Sequence, residues 1–130
     1  MSGYRILVVD DSRTVRRMIG KTIGLAGIPV AAVDYAENGQ QALECLEAQE
    51  FDLLMTDINM PVMDGMELVR IMAERRLIHA LPVVVISTEG SDERIRTLRR
   101  YGIRGFLRKP VTPEGIRTIM ESVLEGRTHA

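Results

Sequence analysis

The 130-residue chain has no tryptophan, one cysteine, two histidines and a net charge of only −1. A single cysteine, Cys45, excludes a disulfide framework and a cysteine-built zinc site, and it fits a reducing compartment. His79 and His129 are the only imidazoles, and His129 sits one residue from the C-terminus. That argues against a histidine-rich metal centre or a Ser-His-Asp triad. Long apolar runs are also missing. The longest, around Ile6–Val9 and Leu81–Ile86, fall far short of the roughly 20 residues that span a bilayer. No charged-then-apolar signal pattern opens the chain, and no low-complexity linker interrupts it. The expectation is a cytoplasmic protein with no membrane segment. Lysine is scarce too: of 17 basic residues only Lys21 and Lys109 are lysines, the rest being arginines.

What is present reads as one soluble domain, spanning residues 1–130 with a core over about 4–125. Hydrophobic residues make up 45% and charged residues 27%, enough to bury a core without staples. The small net charge hides an asymmetry. Residues 1–65 carry 5 basic and 10 acidic side chains, whereas residues 66–130 carry 12 and 8. The near-zero sum and the lack of a recognition motif argue against a nucleic-acid partner.

Strand and helix patterns alternate five times. Strands are expected at Tyr4–Val9, Val30–Tyr35, Phe51–Thr56, Pro82–Ile86 and Gly105–Arg108. Ser12 offers an N-cap to a helix with apolar positions Val15, Met18, Ile19, Thr22, Ile23 and Ala26. Gly20 and Gly24 inside it suggest close helix–sheet packing. Short helical patterns follow Asn38-Gly39, Gly65 and Thr88. The last helix starts at Thr112 as N-cap, with Pro113 in the first position. The third and fourth strands are nearly continuous apolar runs, as strands covered on both faces require. The class is α/β, a parallel sheet with helices on both faces.

Ligands of such sheets bind beyond the carboxyl ends of the strands. Those ends carry Asp10-Asp11, Asp57, Ser87-Thr88 and Lys109. Converging carboxylates repel one another, and a divalent cation removes the conflict. Oxygen ligands favour Mg²⁺. Lys109 and Ser87 add a compact positive charge and a hydroxyl, which suit a phosphoryl group. On these residues alone, metal and phosphate chemistry both remain open.

Four pieces then point to a family. They are Val8-Val9-Asp10-Asp11-Ser12; Thr56-Asp57-Ile58-Asn59-Met60-Pro61-Val62-Met63-Asp64-Gly65; Ile86-Ser87; and Gly105-Phe106-Leu107-Arg108-Lys109-Pro110. In this order and at these strand ends, the sequence resembles the receiver domain of two-component response regulators. It is most similar to single-domain chemotaxis regulators of the CheY type, from Arg5 to Leu124. The resemblance implies a flavodoxin-like, five-stranded parallel sheet of order 2-1-3-4-5. It implies that Asp57 accepts a phosphoryl group from the phosphohistidine of a sensor histidine kinase. It implies that Asp11, Asp57 and the Asn59 carbonyl ligate Mg²⁺ and that Asp10 acts through a metal-bound water. Lys109 and Ser87 would contact the phosphoryl group, and Phe106 would turn inward behind it as part of a switch. Asn59 and Glu89 would tune dephosphorylation, and Lys109–Pro110 would be cis. The domain would signal rather than act as an enzyme, though it would assist its own phosphorylation and dephosphorylation.

The sequence departs from the family pattern at Thr88, where a small residue is common and bulk bears on access by small donors. Ile103 stands in place of an alanine, and Val111 in place of a phenylalanine. The output face implied by the family carries Arg94, Arg96, Arg99, Arg100, Arg104 and Arg108. No effector domain is expected to follow, since only Gly126–Ala130 lie beyond the last expected helix. The output would then be a protein partner, such as a flagellar switch component or a histidine phosphotransfer domain. A receiver excised from a longer regulator is a further reading. Two rivals fit less well. An aspartyl phosphatase would want aspartate at Asn59 and a cap domain. A flavodoxin would want a Ser/Thr/Gly-rich loop where Asp10-Asp11 stand.

Overall fold

The computed structural model describes residues 3–125; the segment Gly126–Ala130 and His129 within it lie outside the described residues. Five parallel strands form one sheet: β1 (Tyr4–Val9), β2 (Val30–Ala36), β3 (Leu53–Thr56), β4 (Val83–Ser87) and β5 (Gly105–Arg108). Their order is β2-β1-β3-β4-β5, as the resemblance implied.

Residue alternation explains why the central strands are apolar throughout. Ile6, Val8, Leu53, Met55, Val84 and Ile86 face one layer, where they pack with α1 (Arg13–Leu25) and α6 (Pro113–Leu124). Leu7, Val9, Leu54, Val83 and Val85 face the other. That layer holds α2 (Gly39–Ala48), α3 (Gly65–Glu74), α4 (Leu77–Ala80) and α5 (Asp92–Tyr101). A side chain of either parity is therefore buried, and the period-two signal of a half-exposed strand disappears.

Caps set the helix starts. Oxygens of Ser12, Asn38, Asp64, Ser91 and Thr112 accept from the backbone N–H three residues on, in α1, α2, α3, α5 and α6. Each satisfies an amide the helix leaves open. Gly20 does pack closely, because the Tyr35 hydroxyl of β2 occupies the space a Cβ would take; Gly24 faces open space.

The elements differ from the sequence expectation in four places. β2 runs one residue further than expected, to Ala36. β3 starts at Leu53, and Phe51 is buried in the core just ahead of it. β4 starts after Pro82, which has no N–H to give a ladder, and runs on to Ser87. Between α3 and β4 lies the additional four-residue α4. Left-handed Arg76 (φ 60°) breaks the helical path, and Ile78 is then buried against the core.

Candidate functional site

The sheet order reverses between β1 and β3, and the two strands are in register with Val9 opposite Thr56. Asp10 and Asp57 are the next residues of each, so their carboxylates emerge side by side at the carboxyl edge. The backbone fixes this placement: Asp57 N–H donates to the Val9 carbonyl (2.9 Å) and Asp10 N–H to the Ala36 carbonyl (3.1 Å). Both residues are buried, Asp10 at 1% and Asp57 at 8% exposure. Asp11, next along, is exposed. One carboxylate oxygen from each of Asp10, Asp11 and Asp57 falls within 4.8 Å of the others.

Lys109 reaches this cluster from two strands away. β5 pairs with β4 so that Arg108 lies opposite Ser87, and Lys109 N–H donates to the Ser87 carbonyl (3.1 Å). The Lys109 stem extends from there across the end of β4. Its Nζ donates to Asp10 Oδ2 (2.7 Å) and Asp57 Oδ2 (3.1 Å). Burial pulls the Lys109 pKa down, but the hydrogen bonds and charges of the two carboxylates outweigh this and hold it above the ordinary lysine value. The ammonium stays charged. The Lys109–Pro110 bond is cis.

The remaining carboxylate oxygens are placed by amides. Asp10 Oδ1 accepts from Ser12 N–H (2.9 Å) and Asp57 Oδ1 from Ile58 N–H (2.7 Å). Asp11 has no side-chain partner among the described residues. Three carboxylates against one ammonium leave two negative charges in a partly buried pocket. A divalent cation with oxygen ligands fits that donor set in charge and in hardness.

The side chains of the other residues expected at the site make no hydrogen bond to these carboxylates among the described residues. Ser87 is buried, and its hydroxyl oxygen accepts from Glu89 N–H (3.2 Å). Asn59, Thr88 and Glu89 are exposed, with Glu89 3.6 Å from Arg94. Phe106 is half-buried, its ring against Gly90 and beneath the Arg108 guanidinium. Cys45 is outside the site, and burial followed by the charges of Asp34 and Glu44 pushes its thiol pKa up.

Three contributions were not visible in the motifs. Arg16 Nη1 donates to the Asp10 carbonyl (2.7 Å), one helical turn into α1. Gly65 N–H donates to the Ile58 carbonyl (2.7 Å), and a Cβ at Gly65 would overlap the Asp57 carbonyl oxygen. The third lies in the same loop. Met63 N–H bonds the Pro61 carbonyl two residues back (2.7 Å), which leaves Val62 at φ 68° and 83% exposed. That is a strained conformation for a β-branched residue.

An acidic cluster bridged by a lysine, at the point where a doubly wound sheet reverses its order, defines a class of phosphoryl- and cation-handling domains. The model of the response regulator receiver domain matches residues 6–121, and the chain belongs to that family. It is 36% identical over 121 residues to chemotaxis protein CheY1 of Helicobacter pylori, covering 92% of this chain and 96% of that protein. Chemotaxis protein CheY of Pseudomonas aeruginosa is also 36% identical, over 93% of this chain and 96% of its own length. Among solved structures, chemotaxis protein CheY4 of Vibrio cholerae superposes with a TM-score of 0.82 at 33% identity. That match covers 94% of this chain and 99% of the other. No helix among the described residues is long and apolar enough to cross a membrane.

Proposed function

We propose that this chain is a stand-alone receiver, residues 1–130, that takes a phosphoryl group onto Asp57 from the phosphohistidine of a sensor histidine kinase. It signals in the cytoplasm, within chemotaxis, by phosphorylation-dependent binding of a protein such as a flagellar switch component. A histidine phosphotransfer domain is the alternative partner. The observation that carries this reading is the Lys109 ammonium bridging Asp10 and Asp57 beside Asp11.

Asp57 Oδ attacks phosphorus, a P–O bond forms, and the P–N bond breaks with its electron pair returning to the donor imidazole. The product is an acyl phosphate. Asp57 suits the role because Ile58 N–H holds one oxygen in place. Lys109 stands ready to shift from the carboxylates to the phosphoryl oxygens. Ser87 turns its hydroxyl to the same group, and Phe106 follows as the switch. Asp11, Asp57 and the Asn59 carbonyl would hold Mg²⁺, with Asp10 acting through a bound water. When present, Mg²⁺ neutralises charge on the transferring group. Asn59 and Glu89, both exposed, would tune how long the acyl phosphate lasts.

Beryllofluoride, which mimics an aspartyl phosphate, tests the reading. Binding that requires Mg²⁺ and is lost in Asp57→Asn is the expected result. Unchanged Mg²⁺-dependent binding in that variant would falsify the acceptor assignment.

A further inference from the structure

The loop from Thr88 to Ser91, between β4 and α5, is held from several sides. Ser87 Oγ accepts from Glu89 N–H, Arg94 lies 3.6 Å from the Glu89 carboxylate, and Ser91 caps α5. These ties all come from the segment itself or its immediate neighbours. One tie comes from another strand: Arg108 Nη2 of β5 donates to the Gly90 carbonyl (3.2 Å).

The same guanidinium also covers the Phe106 ring, with Cζ 5.6 Å from its centroid. Strand alternation requires this proximity, because Phe106 and Arg108 lie two residues apart on one face of β5. Gly90 packs against the edge of the ring. A Cβ there would lie 2.6 Å from the ring carbon Cζ and 3.3 Å from Ile95 Cδ1, so the ring rests directly on the loop backbone. Arg108 makes no ion pair among the described residues, so the Gly90 carbonyl and the Phe106 ring are its contacts.

We propose that Arg108 is a positioning residue that latches the Thr88–Ser91 loop to β5 and holds Phe106 in its half-buried place, opposing the switch. This rests on the receiver reading above. Drawing Ser87 and its loop toward a phosphoryl group on Asp57 moves Gly90 away from β5. That movement breaks the Arg108 hydrogen bond and removes one wall of the Phe106 ring. Inward motion of the ring also gives up the guanidinium. Both contacts belong to the resting arrangement alone, so they shift the population toward it and weaken binding at Asp57. The sequence places this arginine beside the phosphate-contacting lysine, with the two side chains on opposite faces of the strand end.

Two measurements on the full chain test the latch. Amide hydrogen exchange across residues 88–91, without metal, should quicken about threefold or more in Arg108→Ala. Beryllofluoride affinity at saturating Mg²⁺ should rise by a similar factor. Arg108→Lys, which keeps a cation over the ring, should fall between. In a Phe106→Leu background, Arg108→Ala should raise affinity much less, since the ring contact is already gone. Unchanged loop exchange in Arg108→Ala would overturn the latch. Equal or weaker mimic binding, or an undiminished gain in the Phe106→Leu background, would overturn its link to the switch. Failure of the native chain to bind beryllofluoride, with loop exchange still responding, would leave the latch standing and remove the receiver reading instead.

Discussion

Asp11 differs from the other two carboxylates of the pocket. Asp10 and Asp57 each accept from Lys109 and from a backbone amide, whereas Asp11 is exposed, has no such partner, and faces a pair that Lys109 leaves with one net negative charge. At an effective dielectric near 20, unit charges about 5 Å apart repel by about 3 kcal/mol, and solvent and salt reduce this to about 1 kcal/mol for an exposed group. Asp11→Asn should therefore stabilise the protein in EDTA, raising the melting temperature by about 3 °C. The same variant should lose most of the stabilisation that Mg²⁺ gives the native chain. Thermal unfolding in EDTA and in Mg²⁺ checks both; a lower melting temperature in EDTA would contradict the repulsion argument. Lys109 shows how composition can point to a single residue. In a chain that uses arginine almost everywhere, the lysine at a strand end is the one whose ammonium enters the pocket.

At the scale of elements, the loop from Ile58 to Gly65 sets the geometry around Asp57. It folds back so that the first residue of α3 touches the backbone of Asp57. Gly65→Ala drives a methyl into the Asp57 carbonyl oxygen, which also accepts from the Thr56 hydroxyl, a clash no side-chain rotation relieves. It should cost more than about 2 kcal/mol, read from urea unfolding; a change under about 0.5 kcal/mol would mean the loop yields easily. The sequence marked Gly65 as the point from which a helix follows, but its contact with Asp57 depends on how α3 packs. The same holds for α4. Its few residues carry no helical period, and only the buried Ile78 explains why they coil. Strand ends were legible because the change from apolar to polar residues is local. Helix starts were legible because Ser12 and Thr112 cap their own helices. Arg16 and Arg108 were not, since their partners, the Asp10 and Gly90 carbonyls, are backbone groups brought near by the fold.

Over the whole molecule, the charge asymmetry of the sequence becomes a spatial one. The acidic cluster sits at the carboxyl edge, and exposed arginines gather on and after α5. The guanidinium groups of Arg96, Arg99 and Arg104 have no hydrogen-bond or ion-pair partner among the described residues. By contrast, Arg70 and Arg117 each pair with glutamates on their own helices. Arg96 and Arg100, four apart on α5, repel each other. An acidic partner surface would relieve that repulsion. Reversing Arg99 and Arg100 to glutamate should weaken the beryllofluoride-bound protein's hold on its partner at least tenfold, measured by pull-down and titration. Mimic binding itself should not change; equal partner affinity would remove the arginine face from the account.

The central claim concerns one oxygen of Asp57. The direct measurement is the mass of the protein after prolonged incubation with a high concentration of phosphoramidate, a small P–N donor, in the presence of Mg²⁺. The account predicts one added phosphoryl group, labile to hydroxylamine and mapped to the peptide containing Asp57. It should be absent in EDTA and in Asp57→Asn. An adduct on another residue, or one that persists in Asp57→Asn, would contradict it.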